Sequence, residues 1–327
     1  LIQNPKELQT DDLQLVAQLL EEKYPDEALD LYYYINQTYE NTNQLYPLIK
    51  SISHISRILI LKGDYQKAMD LLEQQERLAR EHELWEVIQE NIGNQAETLT
   101  EWGQYNQAMK LLKQQEEICL RLDNKYGLQK SYGNQAQILR IQREYEKAHE
   151  LLNKKERINV QLGNKDGLQE VFGERSLVLR SENKLEDALN LLQIQEGICR
   201  SIGNFEGLQA CLGNQAVCVF DLDKNRINEV NAILREQEVI CNHIKHKDGL
   251  QKIYGLEAKR LMYSKKNDSA LKILKKQELI CRDLVKKIDL QECLGRQIYI
   301  LNKKNKFEAA MKLLQEQEKI CRDHGYH

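Results

Sequence analysis

The sequence predicts an all-α protein, a solenoid of about eight antiparallel helix pairs stacked in chain order. Three observations carry this. A glutamate recurs at Glu76, Glu116, Glu156, Glu196, Glu238, Glu278 and Glu318, in steps of 40 with one of 42. Leu72, Leu112, Leu152, Leu192, Leu234, Leu274 and Leu314 keep the same register, as do Ala28, Ala68, Ala108, Ala148, Ala188, Val230, Ala270 and Ala310. Leu, Lys, Gln and Glu dominate and there are only 3 prolines in 327 residues, a composition that favours helix and supplies few breakers.

Each unit divides into two helices. Over residues 128–142, Leu128, Tyr132, Ala136 and Leu139 fall on one helical stripe (helix A). After a break at "REY", residues 145–161 place Tyr145, Ala148, Leu151, Leu152 and Ile158 on a second (helix B). The links "LGNKDG" (162–167) and "IGNFEG" (202–207) hold Gly and Asn where a helix C-cap is expected, and the extra two residues of the long step fall in "DLDKNRIN" (221–228). Links this short make neighbouring helices antiparallel. One such hairpin cannot bury its apolar face alone, but a stack of hairpins can.

The bulk numbers exclude several classes. With 47 basic against 50 acidic side chains the formal charge is -3, which argues against a nucleic-acid binder driven by bulk charge. No apolar run approaches the roughly 20 residues of a membrane span, and no signal-peptide pattern opens the chain. A cytoplasmic protein is expected. The start at Leu1 suggests a piece of a longer protein. Of the eight cysteines, Cys119, Cys199, Cys241, Cys281 and Cys321 occupy one repeat position. Equivalent points of stacked helices lie at least about 8–10 Å apart, too far for a disulfide, so reduced thiols used as small apolar residues are expected.

"GDYQKA" (63–68), "GQYNQA" (103–108) and "REYEKA" (143–148) resemble the inter-helix signature of tetratricopeptide repeats. Aligned on it, Ile92, Tyr132, Phe172 and Leu212 match the large residue early in helix A, and Ala96, Ala136 and Ala216 the small residue four positions on. The unit is 40 residues instead of the usual 34, which suggests a long-helix subtype. The resemblance covers nearly the whole chain, with markers from about 28 to 321. It implies one right-handed superhelical solenoid over 1–327, whose concave, helix-A surface binds a protein or peptide. The phrase "NKDGLQ…GNQA…ICR" also resembles arrays in bacterial multidomain proteins, where they follow a STAND-type nucleotide-switch ATPase or accompany a caspase-like CHAT protease. That implies the sensor region of a defence or signalling protein, with oligomerisation through domains outside this chain.

Inside helix A, Gly93, Gly133, Gly173, Gly213, Gly255 and Gly295 share one position. Each costs about 1 kcal/mol of helix propensity relative to alanine. Either repeats approach closely there, or the bare position is a groove wall that admits a ligand backbone. No phosphate loop is implied, because the G-x-x-x-x-G-K-[ST] pattern and its preceding strand are missing.

The next position reads His54, Asn94, Asn134, Glu174, Asn214, Leu256 and Arg296. By resemblance it faces the groove, and Asn94, Asn134 and Asn214 are candidate contacts to a peptide backbone, since an amide donates and accepts together. The alternative is an Asn that bonds only a neighbouring helix. Glu174, Leu256 and Arg296 break the ladder. One turn further along come Leu177 and Val217, then Arg140, Arg180 and Phe220. An apolar patch around Leu177, Val217, Phe220 and Leu256 is either a protein-binding anchor or core.

No H-E-x-x-H, G-x-S-x-G or C-x-x-C occurs. Cys241, His243 and His246 lack a fourth ligand, and so do Cys321, His324 and His327. No catalytic residue, metal or cofactor is expected. Two classes remain: a recognition array with a peptide ligand, and an array without one, either a structural scaffold or oligomerisation solenoid or the regulatory region of a CHAT-type protease.

Overall fold

Helix A and helix B form because the 17–18-residue segments carry an apolar stripe at helical spacing, and many are closed by a left-handed residue in the link, as at Gly63, Asn183 and Lys265. In the computed structural model the described residues are 10–21, 24–42, 44–284 and 286–323. Among them are sixteen α-helices and no strand. The chain divides into two compact units, Leu1–Gly127 and Leu128–His327, and the division falls in the first turn of one helix.

The first unit holds α1 (Thr10–Leu20), α2 (Pro25–Asn41), α3 (Leu45–Lys62), α4 (Tyr65–Glu81), α5 (Trp85–Glu101) and α6 (Tyr105–Arg121). The second holds α7 (Lys125–Ile141), α8 (Tyr145–Leu162), α9 (Lys165–Ser181), α10 (Leu185–Ile202), α11 (Phe205–Leu222) and α12 (Ile227–His243). It continues through α13 (Lys247–Tyr263), α14 (Asn267–Asp283), α15 (Lys287–Lys303) and α16 (Phe307–Asp323). Odd-numbered helices are helix A and even-numbered ones helix B, which makes eight pairs. In the first unit α1 to α6, and in the second α8 to α16, pack each on its neighbour in sequence. In the second unit α11 also packs on α9 and on α13, so successive A helices lie side by side.

The links differ in detail from their expected caps. Gly163 and Gly203 do end α8 and α10 in the left-handed conformation, at φ 61° and 69°. The asparagines instead open the following helix: Asn164 Oδ1 accepts the Gly167 N–H at 3.0 Å and Asn204 Oδ1 that of Gly207 at 2.6 Å. Gly127 likewise lies inside the first turn of α7, its N–H donating to Asn124 Oδ1 at 2.9 Å. A Cβ there would stand 2.4 Å from Cys119 Sγ, so the glycine leaves room for the buried thiol.

The marker residues are core and staples. Leu72, Leu112, Leu152, Leu192 and Leu274 are fully buried, as are the alanines Ala68, Ala108, Ala148, Ala188 and Ala270. Each leucine contributes about 1.5–3 kcal/mol by leaving water. The recurrent glutamate ties one pair to the next. Gln95 donates to Glu76 at 2.6 Å, while Arg175 donates to Glu156, Gln215 to Glu196 and Gln297 to Glu278, each at 2.7 Å. All eight cysteines are free and seven are buried; burial pushes the Cys119, Cys199 and Cys241 thiols up to about 11. Among the described residues no helix is long and apolar enough to cross a membrane.

Gly93, Gly173, Gly213 and Gly255 make room for a side chain of their own hairpin, whereas a Cβ on Gly133 would first meet Glu174 Oε1 of the next pair at 3.0 Å. In five repeats the residue before the marker glutamate is a buried glutamine of helix B: Gln75, Gln115, Gln195, Gln237 and Gln277. A Cβ on Gly93 would stand 2.6 Å from Gln115 Nε2, one on Gly173 or Gly213 2.8 Å from that of Gln195 or Gln237, and one on Gly255 2.9 Å from that of Gln277. By contrast Gly197, in α10 but outside this series, meets nothing within 4 Å. Four helix-B glutamines donate to a helix-A glutamine: Gln195 to Gln169 at 2.9 Å, Gln277 to Gln251 at 3.2 Å, Gln115 to Gln89 and Gln237 to Gln209 at 3.4 Å. The helix penalty of the glycine is thus offset by a buried amide pair that ties A to B.

Candidate functional site

In the second unit the helix-A residues one position past the glycine, together with those one and two turns further on, come together along three cavities with shared walls. The first, about 190 Å³, is lined by Gly133, Asn134, Arg140, Glu174 and Leu177. Leu177 also borders the second, about 610 Å³, whose walls include Arg180, Gly213, Asn214, Val217, Leu256 and Arg296. Arg296 and Lys259 continue into the third, about 920 Å³, with Phe220, Met262, Tyr263 and Tyr299. The three cavities therefore form one groove along α7, α9, α11, α13 and α15. Asn94 lies in the first unit, where it borders two other cavities, of about 360 and 230 Å³, with His54.

The side chains along this groove are not uniform. Asn214, Leu177 and Val217 are half-buried, and Leu256 is buried. Phe220 is only 1% exposed: its ring belongs to the core cluster with Val219, Val230, Leu234 and Leu256. It meets Tyr263 edge-on at 6.2 Å, and Lys224 Nζ sits 4.3 Å above its centroid. Arg296 donates to the Gly255 carbonyl at 3.2 Å and pairs with Glu292, so it bridges α15 to α13. Arg140 reaches Ser181 Oγ at 3.4 Å.

One repeat departs from the glutamine pattern. Lys155 stands where the others have glutamine, 3% exposed, and donates to Glu174 at 2.7 Å and Glu170 at 3.3 Å. Burial raises the pKa of Glu174 above the ordinary carboxylate range, and Lys155 only partly opposes it. Its side chain is 34% exposed, yet Oε2 has neither solvent nor a hydrogen-bond partner. Gln129, left without the amide donor its counterparts have, keeps an unpaired Oε1.

The histidine–cysteine cluster of α12 does not converge. Cys241 Sγ faces Gln209 Oε1, His243 lies edge-on to Phe205 at 5.5 Å, and His246 Nδ1 caps α13 at the Gly249 N–H. Cys321 is half-buried, facing Gln291; His324 and His327 lie outside the described residues. Among the described residues no group of three or more His, Cys, Asp or Glu could hold a metal ion.

No protein-family model matches the sequence, and no curated protein does. Solved structures do match in fold. The apo form of the quorum sensor NprR from B. thuringiensis superposes at TM-score 0.64 with 11% identity, over 95% of this chain and 87% of that one. A Rap protein complexed with Competence and Sporulation Factor gives 0.60 with 13% identity, over 97% and 98%. A STAND protein with a tetratricopeptide repeat sensor from Pyrococcus horikoshii gives 0.55 with 13% identity, over 96% of this chain. The fold is that of a tetratricopeptide-like repeat array. The array spans 48% of that STAND protein's length.

Sequence reasoning brought Asn134, Glu174, Asn214, Leu177, Val217, Arg140, Arg180, Phe220 and Arg296 to notice, and all nine border the groove. It missed the glutamines beneath. Their signal stood next to the marker: Gln115, Gln195, Gln237 and Gln277 each precede a repeat glutamate.

Proposed function

We propose that the array is a non-catalytic recognition module that binds an extended peptide, or an extended segment of a partner protein, in the helix-A groove of the second unit. The supporting observation is the continuity of that groove: equivalent positions of five successive A helices line cavities that share Leu177 and Arg296. Apolar walls at Leu177, Val217 and Leu256 supply anchorage. Asn214 and the charged Arg180, Lys259 and Glu292 supply orientation and register. Two proteins of this fold are described as a quorum sensor and as a complex with a factor, and the same use of the fold is proposed here. Read this way, residues 1–327 act as a single repeat array, and beside a nucleotide-switch ATPase it would serve as the sensor region.

The test uses a decapeptide selected from a displayed random library panned against the whole chain. Calorimetry is expected to show that Val217→Arg weakens it at least about 10-fold, because a charge replaces an apolar wall. Asn214→Ala is expected to weaken it several-fold, with helix content unchanged in both variants. A scaffold without a ligand groove would yield no such peptide, or one indifferent to both substitutions.

A further inference from the structure

Each of the four amide pairs leaves a buried, unpartnered acceptor, the Oε1 of Gln115, Gln195, Gln237 or Gln277, and two of these, in adjacent repeats, lie beneath the groove. Gln237 (2% exposed) and Gln277 (3% exposed) both border the 610 Å³ cavity, and the Oε1 of each has no hydrogen-bond partner. A buried acceptor left unpaired is costly and calls for a cause.

The orientation of these amides is dictated by their surroundings. Asp248 Oδ1 accepts from Gln251 Nε2 at 3.4 Å, which turns Gln251 Oε1 inward. That oxygen faces the Cys281 thiol at 3.7 Å and takes the Gln277 Nε2–H at 3.2 Å. The thiol, pushed up to about 12 by burial, keeps its proton and can donate. Asp248 is ionised: burial works against its charge, but Lys252, Lys286 and the Gln251 amide outweigh it and hold it below the ordinary range. Flipping Gln277 would bring two oxygens face to face, so its own Oε1 is left over. One repeat earlier Gln209 Oε1 likewise faces the Cys241 thiol, at 3.6 Å, and accepts from Gln237 Nε2 at 3.4 Å. Gly213 and Gly255 place no side chain over these amides: a Cβ on either would press on the glutamine Nε2 at 2.8 and 2.9 Å.

We infer that Gln237 and Gln277 are backbone-reading residues, whose free amide oxygens accept main-chain N–H groups of an extended peptide lying in the groove. The inference rests on the peptide reading above and specifies its chemistry. The ligand supplies donors at repeated intervals, which a main chain does irrespective of its side chains. Sequence preference is then left to the apolar walls and to Asn214.

The panned decapeptide serves as the probe, as the parent and as a set of analogues each N-methylated at one backbone nitrogen, with an alanine scan alongside. Against the wild-type chain, N-methylation at one or two positions is expected to weaken binding about 10-fold or more, including positions where alanine is tolerated. Against Gln277→Met the parent is expected to lose a similar factor, and one of those N-methyl analogues to lose nothing further. A peptide that is weakened by Val217→Arg but indifferent to N-methylation at every position overturns the inference and leaves the groove standing. So does a methylation loss that persists undiminished in both Gln277→Met and Gln237→Met. Failure to recover any peptide sensitive to Val217→Arg removes the groove and the inference together. The N-methyl scan needs no protein variant, so it decides the matter even if Gln277→Met fails to fold.

Discussion

Phe220→Ala is expected to destabilise the second unit by about 3–5 kcal/mol, the range for deleting a buried aromatic ring. The ring is 1% exposed among Ala216, Val219, Val230, Leu234 and Leu256, so its removal leaves a cavity where α11 meets α12 and α13. It also withdraws the edge-on contact to Tyr263 and the platform under Lys224. Phe220→Leu, which keeps most of the volume, is expected to cost far less. In a repeat array stability is nearly a sum of local and nearest-neighbour contributions. Urea unfolding followed by circular dichroism should therefore show an early transition in the alanine variant, with the remaining amplitude near the wild-type midpoint. A loss below about 1 kcal/mol would show that the ring is not core.

The second large effect concerns Lys155 and Glu174, the repeat in which an ion pair replaces the glutamine. Glu174→Asn strips the nearly inaccessible Lys155 of its short partner and leaves only Glu170, which is half exposed at 53%. A cost of about 3 kcal/mol is expected, at the low end for breaking a buried pair because one partner remains. Lys155→Gln alone should cost less, since Glu174 is partly exposed and the new amide can donate to the unpaired Gln129 oxygen. The double variant reproduces the neighbouring repeats and should lie within about 1 kcal/mol of wild type, a coupling of roughly 2 kcal/mol. Desolvation already holds Glu174 above the ordinary carboxylate range, which marks the pair as expensive to keep buried. The folded-state pKa is the higher one, so the folded chain holds this proton more tightly. Stability from this group is therefore greatest below the unfolded-state value and declines as pH rises through the folded one. The urea midpoints of the four proteins measured at one pH check the cycle; simple additivity would refute the pair's role.

Much of this fold was legible because a period of about 40 residues is a global signal. Leu72, Leu112 and Leu152 name the core, and the marker glutamates announce the staples, before any contact is known. Local roles were less legible. Asn164 and Asn204 were expected at helix C-termini and instead open the next helix, because a left-handed glycine already ends the preceding one. Gly213 and Gly255 were read as making room for a neighbouring repeat or a ligand. The crowding atom is a glutamine of the same hairpin, a contact that pairs residues 22–24 positions apart and that no short window displays. Phe220 could be assigned to groove or core only once its burial was known. A side chain at the edge of a helical stripe serves both, walling the cavity with its rim and packing with its face.

A ligand lying against the A helices of the second unit would be caught there by photo-crosslinking. Benzoylphenylalanine is placed at Arg180, on the wall of the 610 Å³ cavity, or at Val239, an α12 residue 69% exposed that borders none of the three groove cavities. With the panned decapeptide labelled, a crosslinked product is expected at position 180, lost on competition with unlabelled peptide, and none at position 239. Crosslinking at 239 with none at 180 would contradict binding in the groove.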